Sequence, residues 1–200
     1  MEKLMDEIAI LQTKLTDEWH ISEPADAEES HESLLSFVKA NHLMNHKLWH
    51  TEDIARRKDV DAAVIAECKH KIDALNQRRT DFFEKIDNEM VNMILPQLPD
   101  DCADVQNTES LGMAVDRLSI LAHKIYHMRE QTLRKDVDID HIDASIVKLD
   151  TLTAQRENLI RSVKYLIAEY ILGAKRPKQF YQFKMYNDPN LNPQVYGNKR

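Results

Sequence analysis

Two stretches of this sequence repeat one arrangement of metal-binding side chains. HKLWHTED, from His46 to Asp53, and HKIYHMRE, from His123 to Glu130, each place two histidines four residues apart and a carboxylate three residues further on. On a helix, positions i, i+4 and i+7 share a face. Imidazole with carboxylate suits first-row divalent metals, and helical bundles build such centres from facing helices. His50, Asp53, His127 and Glu130 are therefore the candidate metal ligands, and a divalent metal is the cofactor they would take. Each trio also lies roughly opposite the apolar stripe of its own helix. A solvated or interface face with hydrogen-bonded histidines is the competing expectation, and neither trio follows the Glu-x-x-His pattern of di-iron bundles.

Arg79 and Arg156 raise a second question. Each interrupts an apolar stripe, between Leu75 and Phe82 and between Leu152 and Leu159. A guanidinium that faces a core requires a carboxylate or an anionic ligand. Glu52 also points near its stripe, but helix geometry makes it a poor partner for Arg79 within one hairpin, so the partner is expected from the other hairpin, the tail or a ligand. An internal salt bridge is the plainer expectation. Asp81, Glu84 and Asp87 form an acidic ladder similar to the Mg²⁺ motifs of all-α nucleotide pyrophosphohydrolases. Such ladders are common on helices, and a solvated acidic face is expected. The glycine-rich phosphate and dinucleotide loops and the G-x-S-x-G nucleophile elbow do not occur.

The elements that must position these residues are helices. Apolar residues recur at helical spacing through Leu34–Ala55, Val64–Met93, Leu118–Met128 and Leu152–Tyr170, after a short amphipathic helix at about 2–16. Pro24, Pro96, Pro99 and Gly173 punctuate them. HKLWHTEDIARRKDVD (His46–Asp61) aligns without gaps on HKIYHMREQTLRKDVD (His123–Asp138) at an offset of 77 residues, and KIDALNQRR continues onto KLDTLTAQR. The pattern reads as two copies of a helical hairpin, about 31–95 and 111–172, each turning at KDVD with Asp61 or Asp138 as N-cap. Neither hairpin buries its stripe alone. The expectation is one all-α domain over 1–200, a four-helix bundle with pseudo-two-fold symmetry and a C-terminal strap at 174–200.

Charge is unevenly spread. The net charge is −7, yet residues 173–200 carry six basic groups and one acid, which leaves −12 on the remainder. An acidic body excludes general nucleic-acid binding. Two cysteines make no disulfide framework, the N-terminus carries no secretory signal, and no apolar run is long enough to span a bilayer. A cytoplasmic protein without membrane insertion is expected.

The ending FYQFKMYNDPNLNPQVYG (Phe180–Gly197) resembles that of an uncharacterised bacterial family with an FKMYN motif, domain of unknown function 4254. LWHTEDIAR, LNQRRTDFFEKID and DRLSILAHKIYHMREQ look like its other signature blocks. The resemblance implies a cytoplasmic bacterial protein, loosely associated with cell-envelope polysaccharide loci, and no established activity. Its blocks coincide with Glu52, Asp53, Arg79, Asp81, Glu84, His127, Glu130 and Arg156. Glu52, Arg79, Arg156, Lys184, Tyr186 and Asn187 make the candidate set for an anionic small ligand. Alternation of Tyr181, Phe183 and Met185 with polar neighbours suggests that the strap buries one face along the bundle or reaches a second subunit of a homo-oligomer. A ligand- or partner-binding module is the first functional expectation. A metal- or phosphate-dependent enzyme of the pyrophosphohydrolase kind, using the His, carboxylate and Arg cluster, is the alternative.

Overall fold

A computed structural model describes residues 2–24, 33–185, 188 and 190–197. Five long helices carry the fold: α1 (Glu2–Ile21), α2 (Leu34–Ala55), α3 (Ala62–Ile94), α4 (Leu111–Thr132) and α5 (Ile139–Ile171). A 3₁₀ turn follows α3 at Leu95–Gln97, and the single-turn α6 (Pro193–Tyr196) lies near the end. No strand occurs among the described residues. No described helix is long and apolar enough to cross a membrane.

Local chemistry sets the boundaries. Ser33 and Ser36 form a capping box at the start of α2, and Ser110 accepts the amide of Met113 at the start of α4. Asp138 accepts the amide of His141 to cap α5, whereas Asp61 occupies the same place before α3 without a side-chain bond. Both tight turns are fastened alike: Arg57 grips Asp59 with two hydrogen bonds of 3.1 and 2.7 Å, and Arg134 grips Asp136 at 3.0 and 2.7 Å. α2 and α4 each span 22 residues, and α3 and α5 each span 33.

The hairpins pack α2 on α3 and α4 on α5, and α3 joins them by packing on α4. α4 begins where Gly112 meets α3. A Cβ there would stand 2.1 Å from the Phe83 carbonyl oxygen, so only glycine permits this approach. The Gly112 amide donates to buried Asp87, whose carboxyl is pushed up chiefly by burial, against amide bonds that favour its charge. Asp87 is thus not part of an outer acidic face, as the ladder suggested. It is a buried carboxyl set at a helix N-terminus. One turn from Phe83 along α3 and one turn from Gly112 along α4, the same approach brings Arg79 to Asp116.

The expected short first helix is a full member of the core. It runs to Ile21 and packs on α4, α2 and α5, with Met5 and Ile8 fully buried beside Val38, Ile86, Leu118 and Ile167. The bundle therefore has five helices, not four. The strap also differs from expectation. Tyr181, Phe183 and Met185 are exposed, while intervening Lys184 and Gln182 reach the bundle. Phe183 has φ +41°, a left-handed backbone that an aromatic residue rarely adopts. Tyr186 and Asn187 lie outside the described residues.

Candidate functional site

Two groupings of chemistry-bearing side chains stand out, joined by a buried polar chain. The first surrounds Arg79. Its Nε donates to Asp116 Oδ1 at 2.8 Å and its Nη2 to Oδ2 at 2.5 Å. Burial opposes the arginine's charge, but the bonds to Asp116 and the attraction of its carboxylate outweigh this and raise the pKa. Asn41 and Asn45 each donate to Asp116 Oδ1, at 2.9 and 3.0 Å. The expected internal salt bridge is present, and its partner comes from the other hairpin.

Lys184 arrives over this pair from the strap. Its Nζ donates to the Asn76 carbonyl at 2.5 Å, and the preceding strap is held by the Gln182 amide on Glu84 at 2.8 Å. Burial, and then the neighbouring Arg79, lower the Lys184 pKa. Arg79, Lys184, Arg117, Asp116 and Glu109 line a cavity of about 530 Å³. Both carboxylates are engaged, Asp116 by Arg79 and Glu109 by Arg117, so Lys184 is the surplus charge. On the other side of Arg79, a cavity of about 470 Å³ is lined by Glu52, Asp53, Trp49, Asn76 and His123. Glu52 and Arg79 thus share a cavity although each is paired elsewhere, Glu52 with Arg56.

Arg156, the counterpart of Arg79 by sequence, has a different environment. Its Nη2 donates to the Ala9 carbonyl at 2.8 Å and its Nε to that of Leu118 at 3.5 Å. Burial lowers its pKa, and no carboxylate pairs with it among the described residues. It borders a cavity of about 180 Å³ with Thr16, Tyr126 and Arg129.

The second grouping is histidine-rich. α1 covers the face that the sequence suggested was solvated, so His46 is 3 % and His123 1 % exposed. His20, near the end of α1, lies among them: the ligand nitrogens of His20, His46 and His50 all fall within 4.8 Å of one another. His20 Nε2 is 3.2 Å from His127 Nε2, and His127 Nδ1 is 2.7 Å from Glu130. His50 and His127, the expected ligands, have ring centres 5.8 Å apart with His20 close to both. Glu130 orients His127, and Asp53 borders the neighbouring cavity. His46, His50 and His123 are all held below the usual histidine range, chiefly by burial, and His46 is pushed down to about 3.

The groupings are connected. From Asp116 the chain runs through Asn45 to Ser119, from Ser119 to His42 Nδ1 at 2.7 Å, and from His42 Nε2 to Thr16 at 3.0 Å. The Thr16 carbonyl then accepts from His20. Sequence reading missed His20, His42 and Asp116. The identity of each as a polar residue on a helix was visible, but only the packing of α1 and α4 shows what they meet.

A family model described as a protein of unknown function, DUF4254, matches residues 35–179. The chain belongs to the DUF4254 family. In this DUF4254 chain the matched range includes Glu52, Arg79, Asp116, His127 and Arg156, begins after α1 with its His20, and ends before FKMYN at 183–187. No curated protein and no solved structure matches the chain.

Proposed function

We propose that the protein is a binding module for a small anionic ligand, held between α3, α4 and the strap. The observation that supports this is the convergence of Lys184 on Arg79 at a cavity whose two carboxylates are already engaged. Lys184 spends one N–H on a carbonyl and keeps donors for a ligand. The left-handed Phe183 turns the chain where Lys184 enters, and backbone strain of this kind concentrates at ligand clamps. The envelope association carried by the resemblance makes sugar phosphates and nucleotide-sugars the first probes, with inorganic phosphate as the minimal anion. Calorimetric titration should show binding by at least one of them, weakened about tenfold or more in Lys184→Ala. Equal binding by the variant, or none by the wild type, would refute the reading.

A metal-dependent enzyme is the second reading, favoured by the grouping of His20, His46 and His50. We also read the hairpins as duplicated copies, on the strength of the 77-residue offset and the equal helix lengths. Unrelated helix-crossing angles in the two hairpins would end that interpretation.

A further inference from the structure

We propose that α1, α2 and α4 together hold a divalent transition-metal ion, with His20 and His127 as two of its ligands and His46 and His50 completing an imidazole set. His20 Nδ1 lies 2.6 Å from the carbonyl oxygen of Thr16. A carbonyl only accepts, so Nδ1 bears the hydrogen. His127 Nδ1 lies 2.7 Å from Glu130 Oε2. An ionised carboxylate also only accepts, so this Nδ1 bears its hydrogen too. Each neutral ring is left with a bare lone pair on Nε2, and these two Nε2 atoms face each other at 3.2 Å. Two lone pairs at that distance repel unless an electrophile lies between or beside them.

A metal ion satisfies the spacing. Imidazole nitrogens sit about 2.0–2.1 Å from zinc, and two corners of a tetrahedron of that radius are about 3.3 Å apart. The surrounding groups suit the same role. Metal-binding histidines characteristically donate their other N–H to a carboxylate or a backbone carbonyl. His127 has the first arrangement and His20 the second. The ring planes are fixed by stacking, Tyr126 on His20 with centroids 3.8 Å apart and Trp49 on His127 at 4.6 Å. His46 contributes a buried Nδ1 that has no hydrogen-bond partner. An all-imidazole set suits zinc, copper, nickel, cobalt or iron and gives magnesium and calcium none of the oxygen ligands they require. Neutral ligands leave the ion's double charge uncancelled, so an anion in the site would be attracted to it.

The competing electrophile is a proton shared between His20 and His127. Titration of the full-length, untagged protein with Co²⁺ separates the two. We expect one equivalent to bind with visible bands of a four- or five-coordinate ion, displaced by Zn²⁺. His127→Ala and His20→Ala should each weaken binding about 100-fold or more. Glu130→Gln, which keeps the fold and the ligand set, should weaken it about 10- to 100-fold. His70→Ala, on α3 outside the cluster, should bind as the wild type does. Should His20→Ala unfold, the Glu130→Gln and His127→Ala results decide. Absence of stoichiometric Co²⁺ or Zn²⁺ binding at micromolar protein, or wild-type affinity in His127→Ala and Glu130→Gln, overturns the proposal and leaves the shared proton.

Discussion

Arg79 and Arg156 stand 77 residues apart at matching places in the two hairpins, yet they solve the same electrostatic problem differently. Arg79 meets a buried carboxylate that two asparagines also hold. Among the described residues Arg156 meets only backbone carbonyls, from α1 and α4. The cause lies in what covers each hairpin. α4 brings Asp116 to the first, and α1 brings the Ala9 carbonyl to the second. Position on a helix sets that a guanidinium faces inward, and the covering element sets whether its charge is cancelled.

The largest test of this comparison is to remove each charge in turn. Arg79→Met strands Asp116 as a buried anion and should cost about 3 kcal/mol in chemical denaturation, given the typical loss when one partner of a buried pair is deleted and the partial exposure of Arg79. Arg156→Met strands no carboxylate and should stay within about 1 kcal/mol of the wild type in either direction. Equal losses would erase the distinction.

Acid should sharpen it next. His42 is buried and neutral, its pKa pushed down to about 3, chiefly by burial, then by His46 and Arg156. In the unfolded chain it titrates near 6.5, so between about pH 6.5 and 3 the unfolded state binds the extra proton. Its contribution is intact above pH 6.5 and lost as pH falls, by up to ~1.4 kcal/mol per pH unit. Between pH 6.5 and 5 this comes to about 2 kcal/mol. Arg156→Met should make the loss shallower only as pH approaches the folded His42 pKa of about 3, whereas Arg79→Met should not alter it. Urea melts carried down toward that pH provide the measurement, and an unchanged acid limb in Arg156→Met would contradict the role of Arg156.

Removing residues 178–200 should act on the Arg79 side alone. Because Tyr181 and Phe183 are exposed, the loss is that of a few polar contacts, about 1–2 kcal/mol, or a few degrees in Tm for a chain of this length. A drop of ten degrees or more would mean that the strap buries apolar surface after all. Smallest of all, Arg57→Ala and Arg134→Ala cut equivalent exposed turn clasps, and neither should move a melting curve measurably.

Much of this architecture was legible in the sequence because helical periodicity and capping are local. The four hairpin helices, the RKDVD turns and the inward arginines follow from spacing alone. His20 was not legible, since a single histidine near a helix end gives no sign that three other imidazoles converge on it. Asp87 looked like a surface acid because Asp81 and Glu84 precede it at helical spacing, although Phe83, Met90 and Val91 also share its face, and only the meeting with Gly112 shows that α4 starts there. The strap failed for a different reason. Alternating aromatics read as a buried face, but Lys184 and Gln182 supply the contacts and turn the aromatics outward. The sequence places His50, His127 and Glu130 in one region, but the roles of ligand and orienting group depend on which ring nitrogen each neighbour engages.

The position of α1 also bears on how the chain folds during synthesis. Its buried face rests largely on α4 and α5, which begin about 90 and about 118 residues after α1 ends. Each hairpin can close on itself as it emerges, because its contacts are local in sequence. α1 is made first among these helices and must keep Met5, Ile8, Leu15 and Trp19 without their final partners while the ribosome adds some 150 further residues. At about 5–20 residues per second that delay is roughly 10–30 s. During that interval the nascent chain exposes an apolar helix of the kind that holding chaperones bind.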